Sequence, residues 1–185
     1  MPAPLRIVLA GLLLIIDGSS SATAAQMAPA PLGTIPHLDV PRYMGVWYEV
    51  AKYPNRFQAG CAGETSATYS LQANGTVKVV NRCKRTGGKM DEAVGVARQI
   101  GGPTSPKLKV RFAPWWLSWV PAVWGDYWVI DLDPGYRLVA ISEPRRKYLW
   151  VLSRTPTVAP AAYQALLSRL QTQGFDLAKL EITKQ

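Results

Sequence analysis

The chain has 185 residues and a formal charge of +9, from 21 Lys and Arg against 12 Asp and Glu. One histidine, His37, and two cysteines are too few ligands for a His/Cys metal centre, and hydrolytic triads usually need a histidine, whereas the one here lies at the entry to the folded part of the chain. The basic residues are spread along the chain, apart from the run Arg145-Arg146-Lys147, so the charge reads as a solvated face and not as a nucleic-acid stripe.

Arg6 leads into an apolar run at 7–16, followed by a Ser/Ala-rich stretch with Ala22-Thr23-Ala24 as a small-x-small cleavage site. That pattern predicts a secretory signal over 1–24; the apolar run is too short to span a bilayer. Residues 25–36, rich in Pro and Ala, read as a flexible leader, and one folded domain is expected over 37–185. No cysteine precedes Cys61, so the expected product is exported to the periplasm or beyond and is not lipid-anchored. In an oxidising compartment Cys61 and Cys83 are expected to form one disulfide. Counting back from the Asn74-Gly75 turn sets Ser66 opposite Cys83, so a bend before Ser66 is needed.

Short strands fill the next stretch. They are expected at 45–53, at 64–71 and 76–83 around Asn74-Gly75, at 91–100, and at 107–112, where Lys107, Lys109 and Arg111 alternate with Leu108, Val110 and Phe112. Three more follow at 126–133, 137–142 and 147–153. A helix over 160–173 sets Tyr163, Leu166, Leu167 and Leu170 on one stripe and stops at Gly174. A last short strand is expected at 177–182. No helical crossover separates the strands, so the fold class is all-β: an eight-stranded antiparallel up-and-down barrel with one C-terminal helix and a short final strand. Closure removes the open edges, and eight strands leave room for one small ligand.

Three sequence blocks carry a family resemblance. Gly45-Val46-Trp47-Tyr48-Glu49 resembles the lipocalin signature on the first strand, Gly125-Asp126-Tyr127-Trp128 the second block, and Arg154 after Tyr148–Ser153 the basic residue of the third. The chain is similar to the bacterial lipocalins related to apolipoprotein D over about 37–185. The resemblance implies a lipid binder, no enzyme and no cofactor. It also implies that Gly45, Trp47 and Arg154 close the narrow end of the barrel, with the guanidinium across the indole. Many proteins of that subfamily are membrane-anchored lipoproteins; the missing leading cysteine is a departure from them.

Above that closure, parity predicts cavity positions at Tyr53, Tyr69, Val79, Leu108, Val110, Phe112 and Trp150, with Tyr53 inward unless a bulge intervenes. The loop at 113–124, with Trp115, Trp116, Trp119 and Trp124, falls at the open mouth beside Arg145 and Arg146. It is expected to serve as a lid, a peripheral membrane contact or a dimer surface. Monomer and homodimer both stay open. The function expected is carriage of a fatty acid or lysophospholipid. The alternatives are a docking module built on the tryptophan loop, or a haem or tetrapyrrole carrier without an evident axial histidine. Glu49 with Asp126 or Asp131 is weak ground for acid/base chemistry.

Overall fold

Alternation of apolar and polar residues folds the chain into a closed antiparallel meander in the computed structural model, which describes residues 30–185. The strands are β1 (Gly45–Lys52), β2 (Cys61–Leu71), β3 (Val77–Arg85), β4 (Met90–Gln99), β5 (Lys107–Arg111), β6 (Gly125–Leu132), β7 (Leu138–Ser142) and β8 (Leu149–Ser153). Each pairs with the next, and β1 joins both β8 and β2, so the eight strands close into a barrel. A short helix α1 (Val40–Tyr43) precedes β1, α2 (Pro160–Thr172) follows β8, and β9 (Glu181–Ile182) pairs with the far end of β1. The expected signal segment and residues 25–29 lie outside the described residues.

Two hydrophobic cores result. The inner one fills the barrel around Trp47, Tyr69, Val79, Leu108, Val129, Ile141 and Leu152. The outer one lies between the wall and α2, where Leu166 and Leu170 meet Ala51, Ala140, Leu149 and Val151. Both leucines are fully buried, and burial of each contributes about 1.5–3 kcal/mol. Because α2 covers the outside of β7 and β8, these strands are buried on both faces and read as continuous apolar runs instead of alternating ones.

Several expectations are corrected. Residues 30–36 do not behave as a free leader: Leu32 is buried in the outer core, the Ile35 amide donates to the Val129 carbonyl, and Arg146 holds the Ala30 carbonyl. The helix α1 was not foreseen; Asp39 caps it, accepting from the Arg42 amide. Residues 177–179 form a 3-10 turn, so the last strand is only Glu181–Ile182. Ser66 lies opposite Arg82, not Cys83, because the hairpin closes at Gln72 and Thr76 around a three-residue loop, not around Asn74-Gly75 alone; beyond Ser66 the β2–β3 register slips twice on the way to Cys61. Those slips supply the bend, and Cys61 and Cys83 are bridged with Cα atoms 5.6 Å apart.

The strand β5 is short. It pairs only with Val96–Gln99 of β4, while β4 pairs with β3 from Met90 to Ala97. Residues 90–95 of β4 therefore have no strand on their β5 side, and the start of the tryptophan-rich loop, Phe112–Trp115, lies beside Val94–Val96.

Candidate ligand site at the open end of the barrel

The closed end is built first. Gly45 takes φ +97°, and a Cβ there would lie 3.2 Å from Arg154 Nη1, so both backbone and space call for glycine. The Arg154 guanidinium lies 4.0 Å from the Trp47 ring centre. It donates from Nε to the Tyr136 carbonyl, from Nη1 to Val46 and from Nη2 to Arg42. Trp47 is wholly buried and its Nε1 donates to the Tyr43 carbonyl. Above this plug Tyr127 joins Tyr43 (2.7 Å) and Tyr69 (3.0 Å) through their hydroxyls. Burial raises all three phenols above the usual tyrosine range, Tyr69 to about 12, so they stay neutral and form a fixed polar floor. Tyr69, Val79 and Leu108 are thus part of this packed floor.

Towards the other end the inward row becomes more open. Val110 and Trp150 are half-buried against the inner core, and Phe112 is exposed. Ala93, opposite Asn81 on the inner face, is also exposed. A ladder of aromatic rings rises along one wall: Trp150 stacks on Tyr148 at 5.7 Å, and Tyr148 meets Phe57 at 5.6 Å. Phe57 belongs to a 3-10 turn, Arg56–Gln58, capped by Asn55. Gln58 locks this turn to the wall: its Oε1 accepts from Trp150 Nε1 at 2.8 Å, and its Nε2 donates to Glu49 Oε2 at 2.6 Å.

Glu49 is an interior carboxyl, 2 % exposed. Its other oxygen accepts from Thr183 Oγ1 at 2.6 Å, tying the segment after β9 to β1. Burial raises its pKa above the usual carboxylate range, and the bonds from Thr183 and Gln58 oppose that shift.

Three positions differ from expectation. Tyr53 does not reach the cavity: a bulge between Glu49 and Ala51 flips the strand, and Tyr53 packs on Phe175 and donates to the Asp176 carbonyl. Trp124 is not part of a lid. It folds back on the outer wall, with the Arg98 and Arg111 guanidinium carbons 4.3 and 5.2 Å from its ring centre. Arg146 is no free rim cation, since its Nε donates to Gln173 and its Nη2 to Ala30. By contrast Trp115 and Trp116, on the first of two 3-10 turns, and Trp119, in the link to the second, stand 79 %, 57 % and 79 % exposed, and Arg145 is exposed beside the mouth.

Sequence reasoning missed the Phe57–Tyr148 ladder, the Gln58–Glu49 lock, and the burial of Arg111. The Asn55-x-x-Gln58 spacing was the one available signal, because an Asn cap before a short turn is legible. Among the described residues no group of three His, Cys, Asp or Glu gathers as a metal site.

A sealed floor, an eight-stranded wall and an aromatic mouth define the class: a single-calyx barrel of the lipocalin type. The lipocalin-like domain family matches residues 38–185, and the chain belongs to the lipocalin family. It is 41 % identical over 150 residues to temperature-induced lipocalin-1 of Arabidopsis thaliana, covering 80 % of each chain. It is 36 % identical over 159 residues to the outer membrane lipoprotein Blc of Escherichia coli K12, covering 85 % of each. Apolipoprotein D of Rattus norvegicus is 31 % identical over 183 residues, covering 96 % of this chain and 91 % of that one. Among solved structures, insecticyanin of Manduca sexta superposes with a TM-score of 0.62 at 18 % identity, covering 84 % and 83 %, which shows the shared fold. Membership of this family supports binding of a small hydrophobic ligand.

Proposed function

We propose that the barrel carries a fatty acid or a lysophospholipid-like amphiphile in the cell envelope of an exporting cell. The observation that carries this reading is the Trp150–Tyr148–Phe57 ladder above a sealed tyrosine floor. An acyl chain entering beside these rings reaches Val110 and Trp150 before it meets the polar floor. The apolar run at 7–16 supports export.

The test is a fluorescence titration of the protein with oleate and with a lysophosphatidylcholine. Saturable change at micromolar ligand, weakened at least tenfold in Val110→Asp, is expected. No saturable change with a folded circular dichroism spectrum would overturn the carrier reading.

A second reading has an observation of its own. Phe57, Met90, Val94, Phe112, Trp115, Trp116 and Trp119, most of the exposed large apolar side chains among the described residues, sit at the mouth end. The mouth loops at 53–60, 86–89, 112–124 and 143–148 hold five basic residues against one acidic, while the loops at 72–76, 100–106 and 133–137 balance one against one. Exposed tryptophan beside excess positive charge suits mouth-down contact with an anionic bilayer surface, where interfacial indoles are favoured and each basic residue adds about 1 kcal/mol. Such contact is a route for loading the carrier as well as a docking function.

A further inference from the structure

The short β5 leaves a gap beside the upper part of β4, and the start of the tryptophan loop roofs it. The result is a cleft of about 290 Å³ whose walls include Val94, Val96, Phe112, Pro114 and Trp115, with Arg111 as the single charged residue in the lining. Gly95 lets the roof come close: a Cβ there would stand 2.7 Å from both the Arg111 carbonyl and the Phe112 ring.

Arg111 is an odd residue to find in such a place. Its position on β5 alternates with the inward Val110, which sets it on the outer wall, yet it is only 8 % exposed because Trp124 and the loop cover it. Its Nη1 donates to the Ala113 carbonyl, while Nε is buried with no partner. Among the described residues no carboxylate lies within ion-pair distance of it. Its neighbour Lys109 is satisfied by Asp126 at 2.8 Å, and Arg98, which shares the Trp124 ring, brings a second positive charge and no negative one. A largely buried guanidinium with an unpartnered Nε and no counter-ion carries a desolvation cost, and one indole face offsets only part of it. A cleft with apolar side chains on its walls and one under-satisfied cation is complementary to an apolar molecule with one anionic end.

We propose that this cleft is the head-group subsite of the carried amphiphile: Arg111 takes the carboxylate or phosphate, and Phe112 and Trp115 flank the first methylenes as the chain turns into the mouth. The proposal rests on the carrier reading and adds to it a selectivity for anionic over neutral lipids. It also accounts for a cation that has no anionic partner among the described residues.

The experiment is isothermal titration of the full chain with oleate, oleyl alcohol and inorganic phosphate. A charge-assisted contact predicts oleate about tenfold or more tighter than oleyl alcohol. In Arg111→Gln that ratio falls towards one. Val94→Glu sets a carboxylate at the cleft without removing the arginine, and because Val94 is exposed the variant keeps its fold; the ratio is expected to fall in it too. Arg98→Gln, which sits on the same indole outside the cleft lining, keeps most of the preference. Phosphate alone at millimolar concentration gives no saturable heat; a saturable signal lost in Arg111→Gln would reassign the site to a free anion and overturn the amphiphile assignment. Equal affinity for oleate and oleyl alcohol in the wild type, or a ratio untouched by both Arg111→Gln and Val94→Glu, overturns the subsite and leaves the carrier intact. Binding of neither lipid overturns the carrier reading itself.

Discussion

Replacing Arg154 by alanine removes one stacked contact and three hydrogen bonds at once. The guanidinium is 4.0 Å from the centre of a wholly buried indole, so the stacking contribution belongs in the middle of the ~0.5–2 kcal/mol range. The carbonyls of Tyr136, Val46 and Arg42 lie near the surface and regain water when the side chain is lost. Each bond therefore counts for about 0.5–1 kcal/mol, well below the value for a buried charged hydrogen bond. Together the loss is about 2.5–4 kcal/mol, or roughly 6–14 °C in Tm for a domain of this size. Urea unfolding followed by tryptophan emission, with thermal circular dichroism beside it, measures both quantities. Arg154→Lys keeps the charge but has no planar fork to reach three carbonyls, so it should recover less than half of the loss. A loss below about 0.5 kcal/mol in Arg154→Ala, with a native spectrum, would refute the view that this stack closes the barrel energetically.

Glu49 gives a pH signature. Its folded pKa is raised by burial, so between the unfolded value, near 4.3, and the folded one the native chain holds more protons than the unfolded chain. The stability from this group is full below the unfolded value and is lost as pH rises through the folded value; the difference in urea midpoint between wild type and Glu49→Gln should shift in that direction from pH 4 to 7 and then level off. Reducing the Cys61–Cys83 bridge, which spans 22 residues, should cost about 3 kcal/mol by chain entropy, read as a lower urea midpoint in dithiothreitol. Trp115→Ala with Trp119→Ala should lower co-sedimentation with phosphatidylglycerol vesicles several-fold and leave the thermal midpoint within about 1 °C, because both side chains are exposed. Equal sedimentation of variant and wild type would remove the tryptophan loop from membrane contact.

Strand order, closure and the helix were legible because each rests on a short-range period. Alternation in 107–112 and the stripe Leu166–Leu170 are written in neighbouring residues, and the structure has β5 and α2 there. Parity failed where the strand stops being regular. One bulge after Glu49 sends Tyr53 to the helix side, and nothing in Val50-Ala51-Lys52 announces it. The same limit hid Arg111. Its strand position predicts a wet outer face, but Trp124, at the far end of the loop, folds over that face and dries it. Long-range hydrogen bonds were equally silent: Gln58 meets Trp150 across 92 residues, and Thr183 meets Glu49 across 134. The tryptophan cluster was visible as a composition anomaly, whereas its division into three exposed rings and one folded-back ring depended on the two 3-10 turns.

The unpaired upper stretch of β4 also bears on how this molecule avoids itself. A strand flank with free amides and carbonyls is a template for another chain, and Val94 and Met90 on it are apolar and exposed. Asp91 and Glu92 discourage such pairing at one end, and Ala113, Pro114 and Trp115 at the start of the loop stand beside Val94–Val96 as a steric guard at the other. A shortened loop, attractive as a way to remove sticky surface, would bare this flank and exchange a greasy protein for one that polymerises strand on strand.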